Sequence, residues 1–422
     1  MPLKYQSFSM KAEIITIGDE ILIGQTLDSN SAWLGENLGL IGVRVSRIVT
    51  ISDDEEEIIS ALNEAFSRVD LVLMTGGLGP TQDDITKKTL ARYFNSEFYF
   101  NEEVAAGIKA YFNSIGREPL EVNLKQAELP VKCTTILNTR GTASGMWFEN
   151  DGKVLMSMPG VPYEMKGLMR DEVFEKIQAT FKTPAVYNRT ILTIGVGESS
   201  IAVQLEDWET KLRNEGLGLA YLPSAGMVRL RVSGVGEDMV SVKKIVDQKI
   251  TEALAVIGEI SYGFDADSLA EIVGELLKEN NQTLSLAESC TGGYISHLIT
   301  SVAGSSEFYD GSVVTYSYDA KKNWVGVSPE SLAKYGAVSK SVVEEMALGV
   351  KEKFNTDYGI SASGIAGPGG ATEDKPVGTV WVGIATPSGV TSHLFTFGKH
   401  RLRNIIMTSN AALNILRKEL LN

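Results

Sequence analysis

The stretch AEIITIGDEILIGQTLDSNSAWLGENLGLIGVRVSRIVTI, residues 12–51, decides the fold of the first part of the chain. Short apolar runs of strand type stand at 12–18 and 43–51, and a segment with helical spacing of apolar residues lies between them. A second helical segment and another apolar run follow in residues 53–77. Short strands that alternate with amphipathic helices are typical of a parallel, doubly wound α/β sheet, which binds ligands at the carboxyl ends of its strands.

The pattern changes twice along the chain. The α/β alternation ends near residue 183, and residues 184–260 contain strands in runs with two covering helices, which is typical of a small α+β module. Residues 258–268, GEISYGFDADS, are predicted to be a linker, with Asp267 or Ser268 as the cap of the next helix. A further α/β unit follows. The predicted domains are therefore 1–183, 184–260 and 261–422.

Composition excludes several classes of protein. The 422 residues are 43% hydrophobic and 22% charged, and no apolar run approaches the roughly 18 residues that span a bilayer. The first residues lack the apolar core and cleavage site of a signal peptide, so we expect a cytoplasmic protein without a membrane partner. A net charge of −14 disfavours nucleic acid as a partner, because such binding depends on many Lys and Arg residues.

The chain contains few cysteine and histidine residues that could serve in metal binding or catalysis. Two cysteines, Cys133 and Cys290, give neither a disulfide framework nor paired zinc ligands. Three histidines leave little imidazole for acid–base catalysis. A small anionic ligand held by backbone N–H groups is compatible with this composition.

A glycine-rich turn follows the strand at 71–75, in DLVLMTGGLGPTQDDITKKTLARYF, residues 70–94. Glycines let the backbone approach an anion, but the Gly-Lys-Ser/Thr ending of a Walker loop is missing. Asp83 and Asp84 would repel a bare phosphate, so a phosphate here would need a divalent cation between them. The alternative is that both acids only stabilise the start of the helix.

Two more turns of this kind follow strands in the same domain. They lie in TIGDEILIGQTLDSNS, residues 16–31, and in SMPGVPYEM, residues 157–165. Each alone is compatible with ordinary capping or turn chemistry. Three such turns at strand ends predict the rim of one ligand cleft.

The stretch SLAESCTGGYIS, residues 285–296, places Ser289 between a predicted strand and a predicted helix. A nucleophile gains there from its exposed position and from helix N–H groups that can stabilise an oxyanion. The alternative is that Ser289 or Thr291 caps the helix. Cys290 is interpreted as a packed residue behind the turn.

Attack by a serine hydroxyl requires a base. His297 lies eight residues after Ser289 on the same predicted helix, roughly 10 Å or more along the axis, which argues against it. The open candidates are two histidines and two lysines whose pKa burial would lower: His393, His400, Lys321 and Lys322.

A second glycine-rich loop joins two predicted strands in YGISASGIAGPGGATEDKPVGTVWVGIAT, residues 358–386. Its glycines suit close approach of the backbone to a phosphate or an oxyanion. The alternative is a flexible connection.

Several motifs resemble those of the CinA family. AESCTGG, AGSSEFYDGSVVTYSYDAK, GAVSKSVVEEMALGV and SGIAGPGGATEDKPVGTVW are similar to its carboxyl-terminal domain, the nicotinamide mononucleotide amidohydrolase domain. TIGDEILIGQTLDSNSAWL, TGGLGPTQDDITK and MPGVPYEM are similar to its amino-terminal domain, which is related to the molybdopterin-binding fold. The middle module resembles a KH-type fold, without a clear basic Gly-x-x-Gly loop for RNA.

For the last domain the resemblance implies hydrolysis of nicotinamide mononucleotide to nicotinic acid mononucleotide and ammonia, with no cofactor. It implies Ser289 as nucleophile and Lys321 as base, with Tyr316 beside them. The candidate substrate-binding residues are Thr291, Gly292, Gly293, Ser363, Gly364, Gly367, Thr379 and Arg401. Many relatives have Gly-Asp-Arg where this chain has FGKHRLRN, which leaves Arg401 and Arg403 open as the phosphate anchor.

For the first domain the resemblance implies metal-dependent hydrolysis of ADP-ribose to AMP and ribose 5-phosphate. The candidate ligand-binding residues are Thr75, Gly76, Gly77, Gly79, Pro80 and Thr81, and the candidate metal ligands are Asp83, Asp84 and Glu20. The family also implies a homodimer. The alternative function is a nucleotide- or pterin-binding protein without catalysis, linked to competence or the DNA damage response.

Overall fold

The structure is a computed structural model that describes residues 10–81 and 84–421. It forms two compact units, whose boundaries fall after Asn188, Val232 and Ile245. Its strands form three sheets, of six, four and five strands, and one two-stranded sheet. The predicted α/β fold class is confirmed.

The first sheet has six strands in the order β2-β1-β3-β8-β7-β6, and a two-stranded sheet pairs β4 with β5. β1, β2, β3 and β8 are parallel, whereas β6 and β7 are antiparallel. The strands are β1 Met10–Ile17, β2 Val43–Ile51, β3 Leu71–Thr75, β4 Phe98–Phe100, β5 Glu128–Pro130, β6 Cys133–Ile136, β7 Gly145–Asn150 and β8 Lys153–Met158.

Eight helices accompany these strands in the described residues. They are α1 Asp19–Leu22, α2 Ser29–Leu40, α3 Glu55–Phe66, α4 Thr86–Tyr93, α5 Glu102–Ser114, α6 Glu121–Leu124, α7 Pro162–Leu168 and α8 Phe174–Phe181, with a π-helical turn at Met169–Val173. The side chains of β1 alternate between two hydrophobic cores. Ile15 and Ile17 are buried in one core, and Ala12 and Ile14 are buried in the other. Both faces of the sheet are therefore covered, which explains the continuous apolar runs of its central strands.

The middle sheet has the strand order β10-β11-β9-β12. Its elements are β9 Ala185–Ile194, α9 Glu198–Gln204, α10 Glu206–Asn214, β10 Gly218–Ser224, β11 Met227–Gly236, α11 Met239–Ile257 and β12 Ser261–Phe264. The prediction of a linker at 258–268 is wrong in part, because β12 pairs with β9 at the edge of this sheet. Ser268 caps the next helix as predicted, in a capping box with Glu271.

The third sheet has the order β14-β13-β15-β16-β17, with β13, β14 and β15 parallel. Its strands are β13 Leu284–Glu288, β14 Tyr309–Val314, β15 Tyr358–Gly364, β16 Thr379–Thr386 and β17 Gly389–Thr396. Its helices are α12 Leu269–Glu279, α13 Tyr294–Thr300, α14 Tyr318–Val325, α15 Pro329–Tyr335, α16 Lys340–Phe354 and α17 Arg401–Leu420. In residues 10–81 and 84–421, no helix combines the length and apolar character needed to cross a membrane.

The contact between α14 and α16 is tested by Gly349→Ala. A Cβ atom at Gly349 would overlap the backbone carbonyl of Val325, at the end of α14. We expect this substitution to lower the free energy of unfolding by about 1–3 kcal/mol, because backbone cannot rotate away as a side chain can.

The matched control is Gly107→Ala in α5, where a Cβ atom meets nothing within 4 Å. Alanine is the better helix former by about 1 kcal/mol, so this variant should gain stability. Calorimetry of the two variants checks both predictions. Gly349→Ala should shift the unfolding transition of the unit that contains α16, and Gly107→Ala that of the unit that contains α5. Equal stability of Gly349→Ala and the parent chain would contradict the close contact.

Candidate active sites

A buried serine and lysine lie in contact in the third sheet's unit. Ser289 follows the carboxyl end of β13, and Lys321 projects from α14. The Nζ of Lys321 lies 2.9 Å from the Oγ of Ser289 and donates to the carbonyl of Thr315 at 2.6 Å. Lys321 is 1% exposed and Ser289 is 8% exposed. This is the geometry of a nucleophile in hydrogen-bond reach of a base.

Burial sets the protonation of this lysine. Removal from water lowers the pKa of Lys321 to about 8, because the desolvated ammonium is disfavoured. No carboxylate of the described residues forms an ion pair with it, so nothing offsets that effect fully. The amine can therefore act as a base near neutral pH.

Glu288 immediately precedes the serine and is completely buried. Its carboxylate accepts hydrogen bonds from the N–H groups of Gly293, Ile295 and Ser296 and from the hydroxyl of Ser296. This carboxylate satisfies the start of α13, where the capping residue itself provides no side-chain bond. The interpretation of Ser289 as the cap is wrong, because its hydroxyl faces Lys321 instead.

A cavity of about 190 Å³ opens onto the pair. Six of the predicted residues line it: Ser289, Tyr316, Lys321, Ser363, Gly364 and Arg401. The other lining residues are Cys290, Ala337, Val338 and Ala366. Five predicted residues are not on this wall: Thr291, Gly292, Gly293, Gly367 and Thr379.

Arg401 and Tyr316 meet at this cavity. The Nη2 of Arg401 lies 3.2 Å from the phenol oxygen of Tyr316, and its Nη1 donates to the carbonyl of Gly367 at 2.7 Å. Tyr316 is 63% exposed, so its ring remains accessible. Arg403, the other candidate phosphate anchor, lines a different cavity.

The competing nucleophile and bases are placed elsewhere. Burial raises the pKa of Cys290 to about 12, and the side chain packs in the core as predicted. The cavity lining contains none of the three histidines. The ring of His400 instead accepts a bond from the N–H of Arg403 at the start of α17.

In the first sheet's unit, a cavity of about 490 Å³ is lined by residues from all three predicted turns. Among them are Gly18 and Glu20, then Gly76, Gly77, Gly79, Pro80 and Asp84, then Pro159 and Gly160. Asn30 joins two of the turns, because its amide donates to the hydroxyl of Thr75 and to the carbonyl of Gly160. Thr75 is completely buried behind the cavity.

Two glycines of the loop cannot carry a side chain. Gly76 and Gly77 have φ values of 117° and 63°, in the region that favours glycine. A Cβ atom on Gly76 would overlap the carbonyl of Ile17, and one on Gly77 would overlap the hydroxyl of Thr86. The loop is thereby held against β1, with its backbone toward the cavity.

Four carboxylates line this cavity: Glu20, Asp53, Asp84 and Glu164. Burial raises the pKa of Asp53, with further contributions from the charges of Asp19, Glu20 and Asp84. The carboxylate of Asp84 accepts from the N–H groups of Gly79 and Thr81, which shapes the loop. Asp83 lies outside the described residues.

The donor set fits one kind of metal ion. Among the described residues, no three potential ligands lie close enough to form a metal-binding group. Magnesium-type ions need only one or two carboxylates when substrate phosphates and water supply the other ligands. Glu20 and Asp53 offer such carboxylates on the wall of this cavity. The pKa of Asp53 is raised mainly by burial and to a smaller extent by the neighbouring acids, and a bound cation would offset both effects.

A groove of about 630 Å³ shares Gly79, Pro80 and Asp84 with this cavity and includes Thr81. It contains four basic side chains: Lys87, Lys88, Arg92 and Lys125. Burial lowers the pKa of Lys87, whose ammonium donates to backbone carbonyls. Positive charge thus borders the cavity that carries the carboxylates.

The sequence interpretation missed Glu288, Asp53 and Glu164. Asp53 follows the end of β2, which pairs with β1, so the clustering of parallel strand ends could have identified it. Glu288 gave no such signal, because an acid inside an apolar strand does not indicate its hydrogen-bond partners.

Three family models match consecutive parts of the chain. Residues 13–180 match a model described as "Probable molybdopterin binding domain", residues 188–263 match "Damage-inducible protein CinA KH domain", and residues 266–420 match "CinA C-terminal domain". These matches identify a molybdopterin-binding type of amino-terminal domain, a KH-like middle module and a carboxyl-terminal α/β domain.

Relatives match over nearly the full length. A CinA-like protein of Cytophaga hutchinsonii is 47% identical over 97% of this chain and 98% of the relative. A protein of Caldicellulosiruptor saccharolyticus named as competence-damage inducible is 40% identical over 98% of this chain and 100% of the relative. A crystal structure of CinA from Thermoplasma acidophilum, of unknown function, is 37% identical and covers 40% of this chain and 99% of its own, with a TM-score of 0.37. On the extent and identity of the full-length matches, this chain belongs to the CinA family.

Proposed function

We propose that the protein hydrolyses nicotinamide mononucleotide to nicotinic acid mononucleotide and ammonia, and that its amino-terminal domain hydrolyses ADP-ribose with a divalent metal ion. The observation that carries the first activity is the 2.9 Å contact between the buried Nζ of Lys321 and the Oγ of Ser289. A binding protein has no need for a desolvated amine against a hydroxyl, because burial of the amine costs stability.

The amide reaction follows from this pair. Neutral Lys321 takes the hydroxyl proton while the Oγ of Ser289 attacks the amide carbon. The tetrahedral intermediate expels its nitrogen, which receives the proton from the lysine ammonium and leaves as ammonia. An ester then joins Ser289 to the pyridine carbonyl. Water, deprotonated by the same amine, attacks the ester and releases the acid with the free serine.

The remaining groups of the cavity bind and orient the substrate. The N–H group of Cys290 follows the nucleophile at the cavity wall and is not used by the Glu288 carboxylate, so it is the proposed oxyanion donor. The guanidinium of Arg401 at the exposed mouth is the proposed phosphate anchor, and Tyr316 holds it in place. Glu288 is a positioning residue, because it fixes the turn that carries Ser289.

The amino-terminal reaction rests on the cavity beside the glycine-rich loop. Glu20 and Asp53 would hold the metal ion, which when bound would neutralise the diphosphate and polarise its phosphorus. The backbone at Gly76 and Gly77 allows close approach of phosphate oxygens. Arg92 and Lys125 of the neighbouring groove are paired with Glu55 and Glu121, whereas Lys87 and Lys88 form no ion pair within the described residues and favour an anionic substrate at this loop.

A second candidate is a nucleotide- or pterin-binding protein without catalysis. It is favoured by the name of the competence-damage inducible relative and by the molybdopterin-binding type of the first domain. Ligand-induced thermal stabilisation without turnover of either nucleotide would support it. The homodimer and the lack of a nucleic-acid partner stay predictions.

Ser289→Ala tests the nucleophile. We expect ammonia release from nicotinamide mononucleotide to fall by at least about 10³-fold, because no other group can form the ester. Ser301→Ala is the matched control, since that exposed hydroxyl only donates to the carbonyl of His297. Undiminished ammonia release by Ser289→Ala would remove the proposed nucleophile.

The pH dependence tests the base. Because the pKa of Lys321 is lowered to about 8, kcat/KM should rise with pH through this region and level off above it. Lys321→Met should abolish this rise along with the activity. Lys322→Met should retain both, because Lys322 pairs with Asp319. A rate that is flat from pH 6 to pH 9 would exclude Lys321 as the base.

Glu20→Gln and Asp53→Asn test the metal role. Each should lower metal-dependent hydrolysis of ADP-ribose by about 100-fold or more, because removing the charge of a ligand lowers the affinity of the site for the metal ion. Release of ammonia by the last domain should be unchanged. Glu36→Gln, an exposed change on α2, is the control. Full hydrolysis of ADP-ribose by both variants would contradict the assignment.

A further inference from the structure

A third cavity, of about 460 Å³, lies in the unit that contains the third sheet. Its wall combines the end of β9 and the loop after it, the β10–β11 turn, the end of β17 and one face of α17. None of the residues assigned to the two reactions above lines it. Its volume is in the range of pockets that bind small molecules.

The wall presents polarisable apolar groups. Phe395 and Phe397 stack on each other with ring centroids 5.4 Å apart and an interplanar angle of 13°. Met227 and Met407 line the same space from β11 and α17. Aromatic rings and thioethers are the side chains that best contact a planar heteroaromatic ring.

One cation and one carboxylate add polarity. The exposed guanidinium of Arg403 lines the cavity and, within the described part of the chain, forms no ion pair. A guanidinium in this state offers paired N–H donors to a phosphate. Glu198 also lines the cavity and can accept from a ribose hydroxyl or an amino group. The carboxylate of Glu198 would repel a second phosphate group, so the cavity favours a ligand with a single phosphate.

We propose that this cavity binds a mononucleotide, with the base against the phenylalanine and methionine side chains and its single phosphate on Arg403. The site differs from the amidase cavity, although α17 borders both. Arg401, two residues earlier, lines the amidase cavity and contacts Tyr316. The proposal does not depend on either proposed activity, because it concerns binding alone.

The experiment is a calorimetric titration of the full chain with AMP in the presence of EDTA, which removes any metal-dependent binding in the amino-terminal domain. Adenosine and inorganic phosphate are titrated in parallel. Arg403→Gln should weaken AMP binding by about 10- to 100-fold, because a charged hydrogen-bonded pair is lost. Lys418→Gln is the matched control, an exposed cation on the same helix that lines neither cavity, and it should leave this binding unchanged.

Phe397→Leu provides an independent test of the base contact, and circular dichroism checks that the variant remains folded. This substitution should weaken the binding of AMP by about 5-fold or more and leave the binding of inorganic phosphate unchanged. Adenosine should bind at least about 10-fold more weakly than AMP in the parent chain. Equal AMP affinity of Arg403→Gln and the parent would overturn the site, and inorganic phosphate binding as tightly as AMP would overturn the mononucleotide assignment.

Discussion

The active site of the carboxyl-terminal unit depends on the burial of a single amine, that of Lys321. Lys321 is almost inaccessible to water and is satisfied by a carbonyl and a hydroxyl rather than by a carboxylate. Such burial is unfavourable unless neighbouring elements enforce it. The close packing of α14 on α16 at Gly349 and the Glu288 network beneath Ser289 provide that enforcement. Reactivity here is a property of the packing as much as of the two side chains.

The sequence predicted the fold class and the two regions where chemistry is concentrated, because those features depend on local signals. Alternating strands and helices identified the first sheet, and glycines at strand ends identified its cleft. The choice of Lys321 over Lys322 and the histidines came from family resemblance. The structure adds a physical reason, since Lys321 is buried against Ser289 whereas Lys322 pairs with Asp319.

Features that depend on partners distant in sequence were not predictable from local patterns. β12 looked like a linker because its four residues become a strand only through pairing with β9. Asp53 gains its raised pKa from burial and from acids on other segments. The N–H groups at the start of α13 seemed free for an oxyanion, but the carboxylate of Glu288 occupies three of them. Each of these outcomes required knowledge of which elements meet.

Helix α17 borders two cavities. Its 20 residues form a helix roughly 30 Å long. Residues two positions apart on an α-helix project about 200° apart around its axis. Arg401 and Arg403 therefore point in nearly opposite directions, toward separate cavities. One helix therefore supplies a guanidinium to each cavity, so any change in the register or packing of α17 would alter both cavities at once.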